Sequence, residues 1–262
     1  MNLGFVVGAA AVAVIDSGYT PEMAKDMLRH IGTVTPLPVR HVINTNSQPH
    51  RFLGNDVFRN TGAEIIAAGD AAERMKKEGA GFAATAARTL EQGEGTIPAP
   101  KAPDRLVGEG KSLLLDLGGG VRLTVSHFGR SHTRGTLAVE VAPDMTVFAG
   151  DILYGGRLLA LIPDESSVAG WIAAYDKLRN LKAERFVPGH GPVGPLAGFE
   201  EPTYRYLVAL KSHMDKAVKQ NVDLGSAIAG FDASAWRKLA NYSELAGRNA
   251  SLAYLESEAE NF

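Results

Sequence analysis

Two blocks of this chain repeat one order, short apolar runs of strand length followed by helix, and that order leaves few folds open. In the first block, residues 3–7 and 11–15 read as buried strands that close on the turn Asp16-Ser17-Gly18. Thr20-Pro21-Glu22 then starts a helix running to about Ile31, with Thr20 as N-cap and Pro21 at the first helical position. Residues 39–43 form the next strand. A polar, irregular stretch follows from 44 to 55, and a further strand is expected at 64–67. Residues 68–92, rich in Ala, Lys, Glu and Arg, read as helix broken near Gly79-Ala80-Gly81. The stretch 93–110, with its prolines and glycines, reads as an extended surface crossing. The second block has strands at 112–117, 121–126, 136–141 and 145–149, an amphipathic helix at 168–181 and a short strand at 185–187. From about Phe199 onward the chain reads as helical, with a break near Phe231-Asp232.

Periodicity by itself supports an α/β protein. The similar β-then-α make-up of the two halves points further, to two mixed sheets packed together with helices outside, an αββα sandwich. Residues 1–198 are expected to form that domain, with 199–262 as a helical segment packed on it. The apolar opening lacks a basic leading region, and Gly8 and Asp16 interrupt or end it, so it reads as two strands instead of a signal peptide. No apolar run approaches the ~20 residues of a membrane-spanning helix. A cytoplasmic location is expected, with a periplasmic one left open.

Formal net charge is −2 over 262 residues, which argues against a nucleic-acid or membrane-surface partner. There are 0 cysteines, which removes thiolate nucleophiles and thiolate metal sites. Any metal must therefore be held by imidazole, carboxylate or carbonyl oxygen, which suits zinc, iron or manganese. Three such donors share one placement: His132 in a loop after a strand, within HFGRSHT, Asp151 after a strand, within VFAGD, and His190 after another, within FVPGHGP. Loops at strand ends are where a rigid sheet can fix reactive groups and still leave them accessible. His50, in the polar stretch after 39–43, is a fourth candidate. Three imidazoles and one carboxylate form a plausible shell for zinc or iron. Each of these residues alone is equally well explained as a turn former or a surface residue.

Their surroundings, taken in order, resemble the metallo-β-lactamase superfamily: AVIDSG, VINT-x-S-x-P-x-x-FLGN, SHTRG, FAGD and VPGHGP. The likeness leans toward the broad hydrolase branch linked to sulfur oxidation and quinoprotein systems. It rests there on VINT leading into FLGN, on GWIAAYDKL, and on the tail from Asn249 to Glu256. The resemblance implies that His132 serves a first metal, Asp151 bridges two metals and His190 serves the second. It also implies that Asp16 supports the metal-binding loop from behind through hydrogen bonds.

The family's segment between VINT and FLGN reads H-x-H-x-D-H, whereas Asn46, Gln48, His50 and Arg51 stand at those four places here. Asn46 and Gln48 offer only neutral carbonyl oxygens, poor zinc donors beside imidazole. Arg51 carries a permanent positive charge where a ligand is expected, which repels a divalent cation at short range. At most one divalent metal is therefore expected, zinc first, on His50, His132, Asp151 and His190. Arg51 has two readings, as the forked donor for a small anion in the former metal site and as an ion-pair partner of Asp151.

Three functions follow. One is a single-metal hydrolase of a small ester, amide or thioester, with Asp151 able to manage the proton. Another is a catalytically inactive relative that binds a small, anionic molecule. The last is metal-free chemistry with His50 as general base and Arg51 stabilising an oxyanion. His127 and Tyr154 are expected to line the pocket, and His30, His41 and His213 to be structural or exposed. Family members usually carry a strand or two before the segment that opens at Met1. The edge this would leave uncovered makes a homodimer a further expectation.

Overall fold

The computed structural model describes residues 1–261. The chain forms two compact units. One comprises Leu3–Gly129 and Arg134–Phe148; the other comprises Met1–Asn2, Arg130–Thr133 and the chain from Ala149 onward.

In the first unit, β1 (Gly4–Val7), β2 (Val12–Ile15), β3 (Val39–Ile43), β4 (Glu64–Ala68) and β5 (Arg105–Val107) make one sheet in sequence order. β1 runs antiparallel to β2, and the remaining pairings are parallel. Strands buried on both faces need continuous apolar runs, and β2 (VAVI) and the IIAA of β4 supply them. Helix α1 (Pro21–Val34) starts where Thr20 Oγ1 accepts the Met23 N–H at 3.2 Å, with Pro21 in the first turn. Its Ala24 and Ile31 pack with Val12, Val14, Val42 and Ile65 on one face of the sheet.

The second sheet begins in the same unit as an antiparallel meander of β6 (Ser112–Asp116), β7 (Arg122–Gly129), β8 (Thr136–Ala142) and β9 (Thr146–Tyr154). Ile43, Ile66 and Val107 of the first sheet share one core with Leu115, Leu123, Val125, Leu137 and Val139 of the second. Each such side chain contributes about 1.5–3 kcal/mol on burial. Two mixed sheets flanked by helices, the arrangement expected from the two halves, are what the chain builds.

The elements depart from expectation in four places. Helix α4 (Gly69–Thr89) is unbroken at Gly79-Ala80-Gly81. Ala71, Met75, Ala83, Ala86 and Ala87 bury one continuous face, which outweighs about 1 kcal/mol per helical glycine. The crossing at 93–110 contains β5, paired with β4 and aided by Asp104, whose carboxylate accepts the Ile65 N–H at 2.8 Å. The polar stretch at 44–55 holds two short helices, α2 (Pro49–Phe52), begun by Pro49, and the start of α3 (Asn55–Arg59). Finally, β9 continues past Ala149 to Tyr154. Gly150 adopts φ 52, a left-handed conformation that an extended strand seldom contains, so the strand bends there without ending.

The other unit takes the end of β9, with β10 (Arg185–His190) as its neighbour, and α5 (Val168–Arg179), α6 (Tyr206–Lys219), α7 (Leu224–Gly230) and α8 (Tyr242–Asn261). Trp171 Nε1 donates to Ile152 O at 2.8 Å and Tyr175 Oη to Leu196 O at 3.0 Å, which ties α5 down at two points. α6 buries Leu207, Leu210 and Met214, and α8 buries Ala250, Ala253 and Tyr254. The helical residues from 199 onward belong to this same unit, and α7 ends at Gly230 with Phe231 as its C-cap, where a break was expected. Among the described residues no helix is long and apolar enough to cross a membrane.

Candidate metal centre

Asp151 lies within β9, one residue past the Gly150 bend, and is fully buried. His190 closes β10, and its main-chain carbonyl accepts the Gly155 N–H at 2.8 Å, which fixes the ends of the two strands side by side. The His190 Nε2 comes to 3.4 Å from Asp151 Oδ1. Tyr154 stacks on the His190 ring, with centroids 5.0 Å apart and planes at 26°. His132, on the loop that follows β7, brings its Nε2 to 4.0 Å from Asp151 Oδ2.

The state of the His132 ring follows from its other nitrogen. Nδ1 is 3.0 Å from Ala160 O. A carbonyl only accepts, so Nδ1 carries the proton and the lone pair of the neutral ring sits on Nε2, the atom facing Asp151. That is the arrangement in which metal-ligating histidines are commonly held. Trp171 meets the same ring edge-on at 5.2 Å and 66°.

Chemistry and spacing both suit a metal ion. Two donors each about 2.0–2.2 Å from one ion lie no more than about 4.4 Å apart, and both separations from Asp151 satisfy this. Each imidazole therefore stands within one ion's span of the Asp151 carboxylate.

The first unit holds Asp16, Asn46, Gln48, His50 and Arg51. Asp16, at φ 62 after β2, turns its buried carboxylate to the segment that follows β3. Its Oδ1 accepts the Thr45 N–H at 2.7 Å, and its Oδ2 accepts Thr45 Oγ1 at 2.8 Å, the loop-supporting role that the resemblance implied. Its Oδ2 also accepts from Arg51 Nη1 at 3.1 Å, and the Arg51 side chain is fully buried. Asn44 Nδ2 and Ser17 N both donate to Arg51 O, at 2.9 and 2.8 Å, so α2 is anchored at this residue. Asn46 Oδ1 accepts the Gln48 N–H at 2.8 Å, which is how an asparagine serves a turn.

The structure thus brings His132, Asp151 and His190 together and places His50, Arg51, Asn46 and Gln48 in the first unit. Arg51 pairs with Asp16, a partner that lies 35 positions away in sequence and that no local pattern pointed to. Tyr154 stands beside His190, and His127 Nδ1 accepts the Gly129 N–H at 3.0 Å. His41 pairs with Glu64 and His213 bonds to Ala227 O, the structural roles foreseen for them. The Ala160 carbonyl and Trp171 escaped the sequence reading. A backbone carbonyl leaves no trace in residue type, and Trp171 lies on an ordinary amphipathic face.

Residues 2–190 match the model of a family described as the metallo-beta-lactamase superfamily. A stretch of 95 residues is 30% identical to an acyl-coenzyme A thioesterase, MBLAC2, of Gallus gallus, covering 35% of this chain and 32% of that protein. The chain thus spans only about a third of that relative's length. A metallo-beta-lactamase from Pontibacter korlensis superposes with a TM-score of 0.59 at 21% identity, over 78% of this chain and 85% of that one. The structure of TMB-1 gives a TM-score of 0.62 at 17% identity, over 79% of this chain and 84% of that one. At such identities the two structures speak for the fold.

Proposed function

Because the chain belongs to the metallo-beta-lactamase superfamily, we propose that it is a hydrolase working through one divalent metal ion, zinc first, held by His132, Asp151 and His190. The observation that carries this reading is the convergence of two imidazole Nε2 atoms on the two oxygens of one buried carboxylate. A divalent ion in such a site supplies Lewis acidity, lowering the pKa of water and polarising a carbonyl. The chain's own groups then have separate tasks. Ala160 O keeps the His132 proton on Nδ1, which places the lone pair on Nε2. Tyr154 limits the rotation of His190 by stacking on it. Asp151 is the carboxylate able to take up a proton during ester, amide or thioester cleavage. The similarity to an acyl-coenzyme A thioesterase puts thioesters first among the substrates to try.

One observation favours a second reading, a relative without catalysis that binds a small anionic molecule. A buried guanidinium, Arg51, stands at a position where the resemblance calls for a metal ligand. A metal assay on purified protein separates the two readings. Close to one equivalent of zinc, iron or manganese, with thioester or ester hydrolysis that chelator abolishes, supports the hydrolase. Less than about a tenth of an equivalent after metal-supplemented growth removes it. The third option, metal-free catalysis through His50 and Arg51, predicts hydrolysis that survives chelation.

A further inference from the structure

We propose that the C-terminal helix α8 is a positioning element for His132, acting through Asn249 and Glu256; this rests on the reading of His132 as a metal ligand. Asn249 is fully buried. Its Nδ2 donates to Leu159 O at 2.8 Å and to Tyr206 Oη at 3.1 Å, and its Oδ1 accepts the Leu161 N–H at 2.9 Å. The side chain therefore grips the backbone on both sides of Ala160, the residue whose carbonyl receives His132 Nδ1. A carbonyl at one residue and an N–H two residues on require a donor and an acceptor on one short stem, which a primary amide has.

Seven residues further along α8, Glu256 lies on the same face of the helix, two turns on. Its carboxylate accepts Val168 N–H at 2.7 Å, Ser167 Oγ at 2.7 Å and Ala169 N–H at 3.4 Å. A negative charge among the free N–H groups of a first helical turn is favourable, so Glu256 fixes the start of α5.

The segment held between these two grips is bonded along its length to the loop that carries His132. Ser166 Oγ donates to His132 O at 2.6 Å, and Ser167 N donates to Ser131 O at 2.9 Å. Arg130 Nε donates to Glu165 O at 2.8 Å and Arg130 Nη2 to Asp164 O at 3.0 Å. Gly170 lets the loop lie against α5, because a Cβ there would sit 2.0 Å from Arg130 O. The path from α8 to the His132 ring is thus a continuous set of hydrogen bonds within one compact unit.

The test compares Asn249→Ala with Tyr254→Phe, which removes a bond from the same helix to Val222 O, away from this segment. Two quantities are read: the His132 ring tautomer in metal-free protein, by proton–nitrogen NMR, and zinc affinity, by competition with a chromophoric chelator. Asn249→Ala is expected to shift the ring from the Nδ1–H form toward a mixture and to weaken zinc binding about 10–100-fold. Tyr254→Phe is expected to change neither. A folded Asn249→Ala protein with wild-type tautomer and affinity overturns the proposal, as does an equal loss in Tyr254→Phe. Should Asn249→Ala fail to fold, Asn249→Asp keeps the acceptor for Leu161, removes the donor to Leu159 and is read in the same way. Wild-type protein that binds no zinc defeats the proposed function instead, and the tautomer comparison still decides the role of Asn249.

Discussion

Arg51 Nη1 donates to Asp16 Oδ2 at 3.1 Å, and both side chains are buried. This ion pair joins the turn after β2 to helix α2, and its acidic member also holds Thr45. Removing two charges from water is costly, and their attraction offsets that cost only while both are present.

Truncating either partner breaks the pair. Arg51→Ala is therefore expected to destabilise the protein by about 3–5 kcal/mol, measured as a lower urea midpoint with an unchanged slope. Asp16→Asn removes the charge of the acidic member and falls in the same range. In the double variant the two losses should be clearly less than additive. A loss below about 1 kcal/mol in Arg51→Ala would match a surface pair instead and remove this account of the residue.

The stacked pair of Tyr154 and His190 makes a milder prediction. Aromatic pairs contribute about 0.5–1.5 kcal/mol beyond burial, so Tyr154→Ala should weaken zinc binding about threefold to tenfold, with Tyr154→Phe close to wild type. Chelator competition reads both. An effect of Tyr154→Phe as large as that of Tyr154→Ala would assign the role to the hydroxyl, contrary to the stacking argument.

Two glycine substitutions should move stability in opposite directions. Gly170→Ala places a methyl 2.0 Å from Arg130 O and should cost about 1–3 kcal/mol of overpacking. Gly247→Ala, inside α8 with nothing within 4 Å of the added carbon, should stabilise by up to about 1 kcal/mol. Thermal melts of the two proteins decide the matter, and a lowered melting temperature for Gly247→Ala would contradict the open space at that position.

Alkaline stability should depend on Tyr206. Burial pushes its phenol up to about 12, above its usual value near 10. The folded state therefore favours the neutral form. That contribution is complete below pH ~10 and is lost as the pH rises from about 10 to about 12. Urea midpoints between pH 9 and pH 12 should fall less steeply in Tyr206→Phe than in the wild type, and parallel profiles would show that Tyr206 does not supply the dependence.

Much of the fold was legible where one residue decides a local outcome. Thr20-Pro21 announced α1, and the β-branched runs of β2 and β3 announced buried strands. The difficult elements were those whose signals compete with tertiary packing. Gly150 resembles a strand end but is a bend within β9, and Gly79 resembles a helix break but lies on a helix face held by burial. Strand β5 is three residues long, too short to show a period. In the site, His132, Asp151 and His190 were visible because each stands beside glycines in a recognisable segment. The supporting contacts were not. Asp16 and Arg51 lie 35 positions apart, and Asn249 lies 88 from Leu161, distances over which no local pattern carries information.

Metal content measured on wild-type protein and on His132→Ala, Asp151→Ala and His190→Ala tests the central claim most directly. The account predicts about one zinc, iron or manganese ion per wild-type chain and a loss of affinity of at least about tenfold in each variant, with the fold retained by circular dichroism. Two ions per chain, or wild-type occupancy in all three variants, would contradict it.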